Sequence, residues 1–239
     1  MSTARITLYY DIVSPWTRVA FDVLRRYEKP WKIQLDFKPI NLGYVMGTAG
    51  NKPPISVPNK GAWMWGDMLR SSQFYGVTLS QPSNFPINTQ PPQLFLRHLC
   101  DHPSESTRSK YVPAIEALFA AVWTDNVALK TAADIQSVVG GLWGKEEQDG
   151  LKTLIEESGT KEMKDRLKKE SQELVNEGGA FGMPWMVVEK DGQTSNWFGS
   201  DRFEQMASFL GVQWKGTSPA GNHHPFHPSK SFTKDWNEH

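Results

Sequence analysis

Four short stretches of this sequence carry residues whose types and spacing could do chemistry. The first is Y-D-I-V-S-P-W-T-R at residues 10–18, where a β-forming run meets Ser14-Pro15 and a helical pattern follows. A strand that turns straight into a helix leaves backbone N–H groups unpaired at the positive end of the helix dipole, a place that favours an anion. Ser14 has two open readings there. Its hydroxyl caps the helix, as Ser before Pro commonly does, or it donates to an incoming thiolate.

The second stretch is G-G-A-F-G-M-P at 178–184, a glycine-rich turn ahead of an apolar run. A proline in that place is a candidate for a cis peptide. The backbone of Met183, just before Pro184, is then open to pairing with an extended, peptide-like ligand; an ordinary turn is the other reading. The third, F-G-S-D-R at 198–202, opens a helix. Ser200 and Asp201 either cap that helix or hold the carboxylate and the ammonium of an α-amino acid headgroup. The fourth comprises G-N-K-P-P (50–54) and P-N-K-G (58–61), which place Asn51 and Lys60 on loops, as plain surface polarity or as ligand contacts.

Other groups carry less. Cys100 falls in a helical pattern and reads as a core thiol, and His98 and His102 flank it at i,i+4 without a third metal ligand nearby. H-H-P-F-H at 223–227 reads as loose metal affinity at most, so no functional metal is expected. Phosphate-loop, zinc-protease and nucleophile-elbow signatures are lacking.

The elements that must position these residues follow from periodicity. Residues 5–11 read as a strand and 15–29 as an amphipathic helix that Pro30 stops, with 31–38 as a second strand. Residues 41–60, rich in Gly and Pro, read as a structured loop, followed by a helix over 62–75. Helical patterns then succeed one another at 93–101, 108–125, 131–140, 146–157 and 160–177. Two strands (185–189 and 195–198) and a helix over 201–210 ending at Gly211 close the pattern. From 216 onward the chain is polar and expected to run loosely over the surface. An α/β domain split by an all-helical insertion accounts for this order.

Composition narrows the function. Lys+Arg and Asp+Glu are both 26, which argues against a nucleic-acid or acidic-membrane partner. A chain of 239 residues with 38% hydrophobic residues and ten tryptophans can bury a large core and still present aromatic surface. No apolar run reaches the roughly 20 residues of a membrane span. One cysteine permits no internal disulfide, which reads as a reducing intracellular compartment, cytoplasmic first.

Taken together, the motifs resemble kappa-class glutathione transferases and their relatives, the 2-hydroxychromene-2-carboxylate isomerases. The resemblance rests on Y-D-x-x-S-P (10–15), G-N-K-P-P (50–54), P-x-K-G-x-x-M-x-x-D (58–67), G-A-F-G-x-P (179–184) and F-G-S-D-R-x-E-x-x-A-x-x-L-G-x-x-W-x-G (198–216). It implies a thioredoxin-like fold of the DsbA type over residues 1–76 and 178–216, a helical insertion over 77–177 and a surface tail over 217–239. It also implies glutathione as substrate or cofactor, an electrophilic small molecule as acceptor, and a homodimer. Glutathione transfer leads, with glutathione-dependent isomerisation or a non-catalytic thioredoxin-fold binding protein as alternatives. Mitochondrial and peroxisomal locations occur among relatives.

By position the resemblance gives Ser14 the hydrogen bond to the glutathione sulfur and Met183, ahead of Pro184, the pairing with the cysteinyl backbone. Asn51 and Lys60 reach the tripeptide, Ser200 and Asp201 hold the γ-glutamyl headgroup, and Arg202 reaches a site of the partner subunit. The chain departs from the family at S-P-W-T-R, where S-P-Y-S and an apolar or aromatic residue are usual. Trp16, Thr17 and Arg18 are therefore expected to shape what sits beside the sulfur.

Overall fold

The computed structural model describes residues 3–220. Strand β1 (Arg5–Tyr10) buries Ile6, Leu8 and Tyr10 on alternate positions and runs into helix α1 (Pro15–Trp31). α1 turns Val19, Phe21, Val23, Leu24 and Tyr27 inward. Pro30 does not stop the helix, which continues to Trp31. So close to the end, a missing N–H costs at most one helical bond. Lys32, at φ 52°, ends it by donating its amide to the Glu28 and Lys29 carbonyls. Strand β2 (Gln34–Pro39) therefore begins later than expected and pairs with β1 in parallel.

Residues 41–60 are not all loop. Asn41 accepts the Tyr44 amide at 3.1 Å and caps helix α2 (Leu42–Thr48), a helix that glycine-rich composition concealed. A 3₁₀ turn, Pro54–Ser56, leads into helix α3 (Pro58–Tyr75), which begins a turn before Ala62. Gly61 is needed there, because a Cβ at this position would stand 3.2 Å from the Ile55 Cα.

The expected helical run follows as α4 (Gln90–Cys100), the short α5 (Glu105–Arg108), α6 (Tyr111–Trp123), α7 (Ala132–Val139), α8 (Gln148–Ser158) and α9 (Lys161–Asn176). Strands β3 (Trp185–Lys190) and β4 (Gln193–Phe198) and helix α10 (Phe203–Leu210) complete a sheet of order β2-β1-β3-β4. β3 is antiparallel to both β1 and β4. This is a thioredoxin-like sheet interrupted by helices, as the sequence pattern implies.

The helical segment is stitched to the strand ends that lead to Ser14. Gln93 of α4, fully buried, donates its amide to the carbonyls of Tyr10 and Ile40, each at 2.8 Å. Trp123 of α6 donates its indole N–H to the Ile12 carbonyl at 2.7 Å. Tyr111 donates to the Phe37 carbonyl at 3.0 Å, with Tyr10 Oη 3.1 Å from its hydroxyl. Each bond gives a backbone carbonyl of the sheet end or the Ser14 turn a partner from the helical segment.

At the other end, Trp214 stacks on Tyr27 and Phe203, and the Tyr27 hydroxyl donates to the Gly216 carbonyl at 2.7 Å. Thr217 is buried, and its carbonyl accepts from Arg26. The chain at 216–217 is thus held rather than loose. The H-H-P-F-H stretch, with most of the expected tail, lies outside the described residues.

Candidate active site

A cleft of about 780 Å³ opens where the β1–α1 turn, the 41–60 segment, the start of α3, the 85–89 loop and the 182–183 turn converge. Among the sequence-predicted residues, Ser14, Asn51, Lys60 and Met183 line it together. Pro184, joined to Met183 by a cis peptide, does not line it. Neither do Ser200, Asp201 or Arg202, though Phe198 just before them does.

Ser14 is the N-cap of α1, with extended backbone at φ −94°, ψ 117°. Its Oγ accepts the Thr17 amide at 3.2 Å, and its own hydrogen has no acceptor among the described residues. The two readings of Ser14 are therefore compatible, since the oxygen caps the helix and the hydrogen remains to donate. Pro15 brings no N–H to the first turn, whereas the Trp16 amide is unpaired among the described residues. A hydroxyl and one helix N–H thus face the same turn, an arrangement suited to an anion.

The lining mixes polar and apolar groups. Asn41, Asn51, Lys52 and Lys60 are among the polar ones, and neither lysine has a carboxylate partner among the described residues. Trp16, Met64, Phe85 and Ile87 are among the apolar ones. Asn51 is partly committed, donating to the Phe181 carbonyl at 2.7 Å and accepting the Lys52 amide at 2.8 Å, so it ties two loops of the rim together. Met183 is buried, and neither its N–H nor its C=O is paired among the described residues. Gly182 lets the turn pass against Phe198, where a Cβ would approach the ring to 2.9 Å.

Of the three departures from the family pattern, only Trp16 lines the cleft. Thr17 is buried, and Arg18 turns away to Asp22 at 2.8 Å and to the Glu116 carbonyl of α6 at 3.3 Å. Arg18 thus leaves the cleft, which corrects the expectation for it, while Thr17 bears on the site through its amide, which holds Ser14 Oγ. Ser200 is buried, and Asp201 is exposed with its carboxylate 2.6 Å from the Arg202 guanidinium.

Sequence reasoning gave no role to the acid of the cleft. Asp11, part of the Y-D-x-x-S-P motif, is the carboxylate of the lining and is 1% exposed. Burial pushes its pKa up, against hydrogen bonds from Thr89, Leu42 and Val13. Elsewhere, Cys100 is partly buried and its thiol is pushed up by burial, the state of an unreactive cysteine. His98 pairs with Glu157 at 3.2 Å. No group of three or more metal-ligating side chains occurs among the described residues.

The cleft of this thioredoxin-type fold thus offers a serine hydroxyl and a helix N-terminus, and no cysteine is among its lining residues. Residues 5–211 match the DSBA-like thioredoxin domain family. The chain is 30% identical to human glutathione S-transferase kappa 1 over 215 residues, covering 90% of this chain and 94% of that protein. It is likewise 30% identical to the rat kappa 1 protein over 229 residues. The chain belongs to the DSBA-like thioredoxin family and, within it, to the kappa-class glutathione transferases.

Solved structures agree on the fold. A 2-hydroxychromene-2-carboxylate isomerase superposes with a TM-score of 0.66 at 21% identity, covering 87% of this chain and 94% of that one. The cytosolic disulfide reductase DsbM from Pseudomonas aeruginosa, solved with GSH, gives 0.56 at 13% identity, covering 87% and 96%.

Proposed function

We propose that this protein is a glutathione transferase in which the Ser14 turn activates the glutathione thiol for attack on an electrophilic small molecule. The observation that carries this reading is the Ser14 hydroxyl, its oxygen held by the Thr17 amide and its hydrogen free beside the cleft. A thiol of pKa about 8.5 is only a few per cent thiolate at neutral pH. Lowering that value by two units takes about 2.7 kcal/mol of preferential thiolate stabilisation. A hydroxyl bonded to a charged acceptor contributes about 1.5–3 kcal/mol, and a helix N-terminus about 0.3–1 kcal/mol. The two together suffice without a general base. The thiol proton goes to solvent, the sulfur forms a C–S bond to the acceptor, and the acceptor's leaving group departs with the electron pair of the bond it loses.

The rest of the cleft divides between the two reactants. The unpaired backbone of Met183, ahead of cis-Pro184, runs alongside the cysteinyl residue of glutathione in the manner of a short strand addition. Asn51 and Lys60 take the tripeptide. Ser200 and Asp201 take the γ-glutamyl headgroup beyond Phe198. The acceptor lies against Trp16, Phe85 and Ile87. A homodimer brings Arg202 to the partner's site, and the exposed aromatics Trp63 and Phe74 of α3 supply the dimer surface. A chain with one cysteine fits a reducing, intracellular compartment.

The experiment is titration calorimetry with glutathione, followed by turnover of an aryl halide and of a cis–trans isomerisable acceptor. Binding with stoichiometric consumption of glutathione supports transfer. Turnover with glutathione unconsumed identifies the isomerase chemistry instead, and absence of glutathione binding overturns the reading.

A further inference from the structure

Asp11 sits where three walls of the cleft meet. Its Oδ1 accepts the Val13 amide at 3.1 Å and the Thr89 hydroxyl at 2.7 Å, and its Oδ2 accepts the Leu42 amide at 2.8 Å. Its backbone carbonyl accepts the Ser14 amide at 3.1 Å. Val13 precedes the Ser14 cap, Leu42 opens α2, and Thr89 joins the 85–88 loop to α4, and all three line the cleft. One buried carboxylate thus holds the sulfur-binding turn, the α2 wall and the acceptor wall in a fixed relation. Gln90 reinforces the last two, donating to Tyr44 Oη at 3.0 Å.

We propose that Asp11 is a positioning residue, whose carboxylate acts through Ser14 by fixing that turn against the α2 and 85–89 walls. This rests on the reading of Ser14 as the partner of the glutathione sulfur. The chemistry requires an ionised acid. A carboxylate accepts on both oxygens, whereas an amide accepts on one and donates on the other. Thr89 can turn its hydroxyl to accept, but the Val13 and Leu42 amides can only donate. In either orientation Asn at this position opposes an N–H to a backbone N–H, releasing the Ser14 turn or the α2 wall. Burial pushes the carboxyl pKa up, and the hydrogen bonds from Thr89, Leu42 and Val13 work against it in favour of the ionised form.

The test is a double-mutant cycle of Asp11→Asn with Ser14→Ala, reading kcat/KM for glutathione with an aryl halide and the pKa of the bound thiol from thiolate absorbance. Asp11→Asn alone is expected to lower kcat/KM roughly tenfold and to raise the thiol pKa. In the Ser14→Ala background it is expected to do neither, because residues acting through one group are not additive. Equal losses in both backgrounds, or no loss in either, overturn the proposal. Ser14→Ala leaving the thiol pKa unchanged overturns instead the reading of Ser14 on which it rests.

Should Asp11→Asn not fold, Thr89→Val removes one of the three bonds and leaves the carboxylate. It is expected to raise the thiol pKa in the same direction by a smaller amount, with Thr89→Ser restoring the wild-type value. A Thr89→Val protein with an unshifted thiol pKa overturns the proposal as well.

Discussion

Ser14 Oγ accepts the Thr17 amide at 3.2 Å and its hydrogen has no acceptor among the described residues, so one hydroxyl can serve the helix and the cleft at the same time. Its two duties are separable by substitution. Ser14→Ala removes both and is expected to cost about 1 kcal/mol of stability. It should also lower kcat/KM at least tenfold, the loss of one hydrogen bond to a charged sulfur. Ser14→Gly keeps a good cap residue and should cost only a few tenths of a kcal/mol, with the same loss of activity. Melting temperatures and steady-state rates on the pair check this. A Ser14→Gly enzyme of full activity contradicts the assignment.

Polar and apolar groups of the cleft are expected to act on different reactants. Lys60, without a carboxylate partner among the described residues, is expected to matter for glutathione alone. Lys60→Ala should raise the glutathione KM about fivefold to tenfold and leave that of the acceptor in place. Trp16, an apolar group of the lining, is expected to do the opposite. Trp16→Ala should raise the acceptor KM about tenfold through lost apolar and aromatic contact. Initial-rate measurements with each reactant varied in turn decide it, and a crossed result reverses the two assignments.

Away from the cleft, Arg97 is 5% exposed and grips Glu170 with two bonds, at 2.6 and 2.7 Å, while reaching Asp101 at 2.8 Å. Arg166 bonds both acids from the surface of α9. Burial works to raise the Glu170 pKa, but bonds and charge from Arg97 and Arg166 outweigh it and hold the carboxyl below its ordinary 4.5. A depressed carboxyl gives stability that is present above its unfolded pKa and lost as pH falls through the folded one. Unfolding free energy is therefore expected to drop as pH falls below about 4.5. Glu170→Gln should cost about 1–2 kcal/mol at pH 7, where a charge-assisted bond becomes a neutral one. It should also flatten the acid slope. Urea titrations at pH 7 and pH 3 measure both.

Legibility in the sequence followed how local each signal was. The strand–turn–helix at Ser14 and the Gly211 cap are written in neighbouring residues, and both were readable. Helix α2 was hidden because Gly43 and Gly47 sit inside it, while what sustains it is the Asn41 cap and contact with α9, far away in the chain. Asp11 stood in a recognised motif, yet its partners Leu42 and Thr89 come from distant segments, so its place became visible only in three dimensions. Arg18 misled for the opposite reason. It follows the site in sequence, but helical geometry turns it from the cleft toward Asp22, one turn along α1.

Helix α3 leads to a last prediction. Along its 18 residues only Met64 and Met68 are buried, while Trp63 and Phe74 are 55% and 51% exposed. These two lie on one stripe, three turns apart, with Arg70 between them and its guanidinium 5.5 Å from the Trp63 ring. Large aromatics flanking an arginine are the anchors that protein interfaces favour. The protein is expected to sediment as a dimer. Trp63→Lys sets a second charge beside Arg70 without touching the core, so circular dichroism should stay unchanged. The dimer should weaken about 30-fold or more, as for an anchor worth 2 kcal/mol. Glutathione affinity is expected to depend on the pair at Asp201. In the single chain Arg202 occupies that carboxylate at 2.6 Å, and a partner that draws Arg202 away leaves Asp201 for the ligand's ammonium. The Trp63→Lys monomer should therefore bind glutathione more weakly by calorimetry, and Arg202→Ala in that monomer should recover part of the loss. A monomer with wild-type affinity breaks the link between dimer and site.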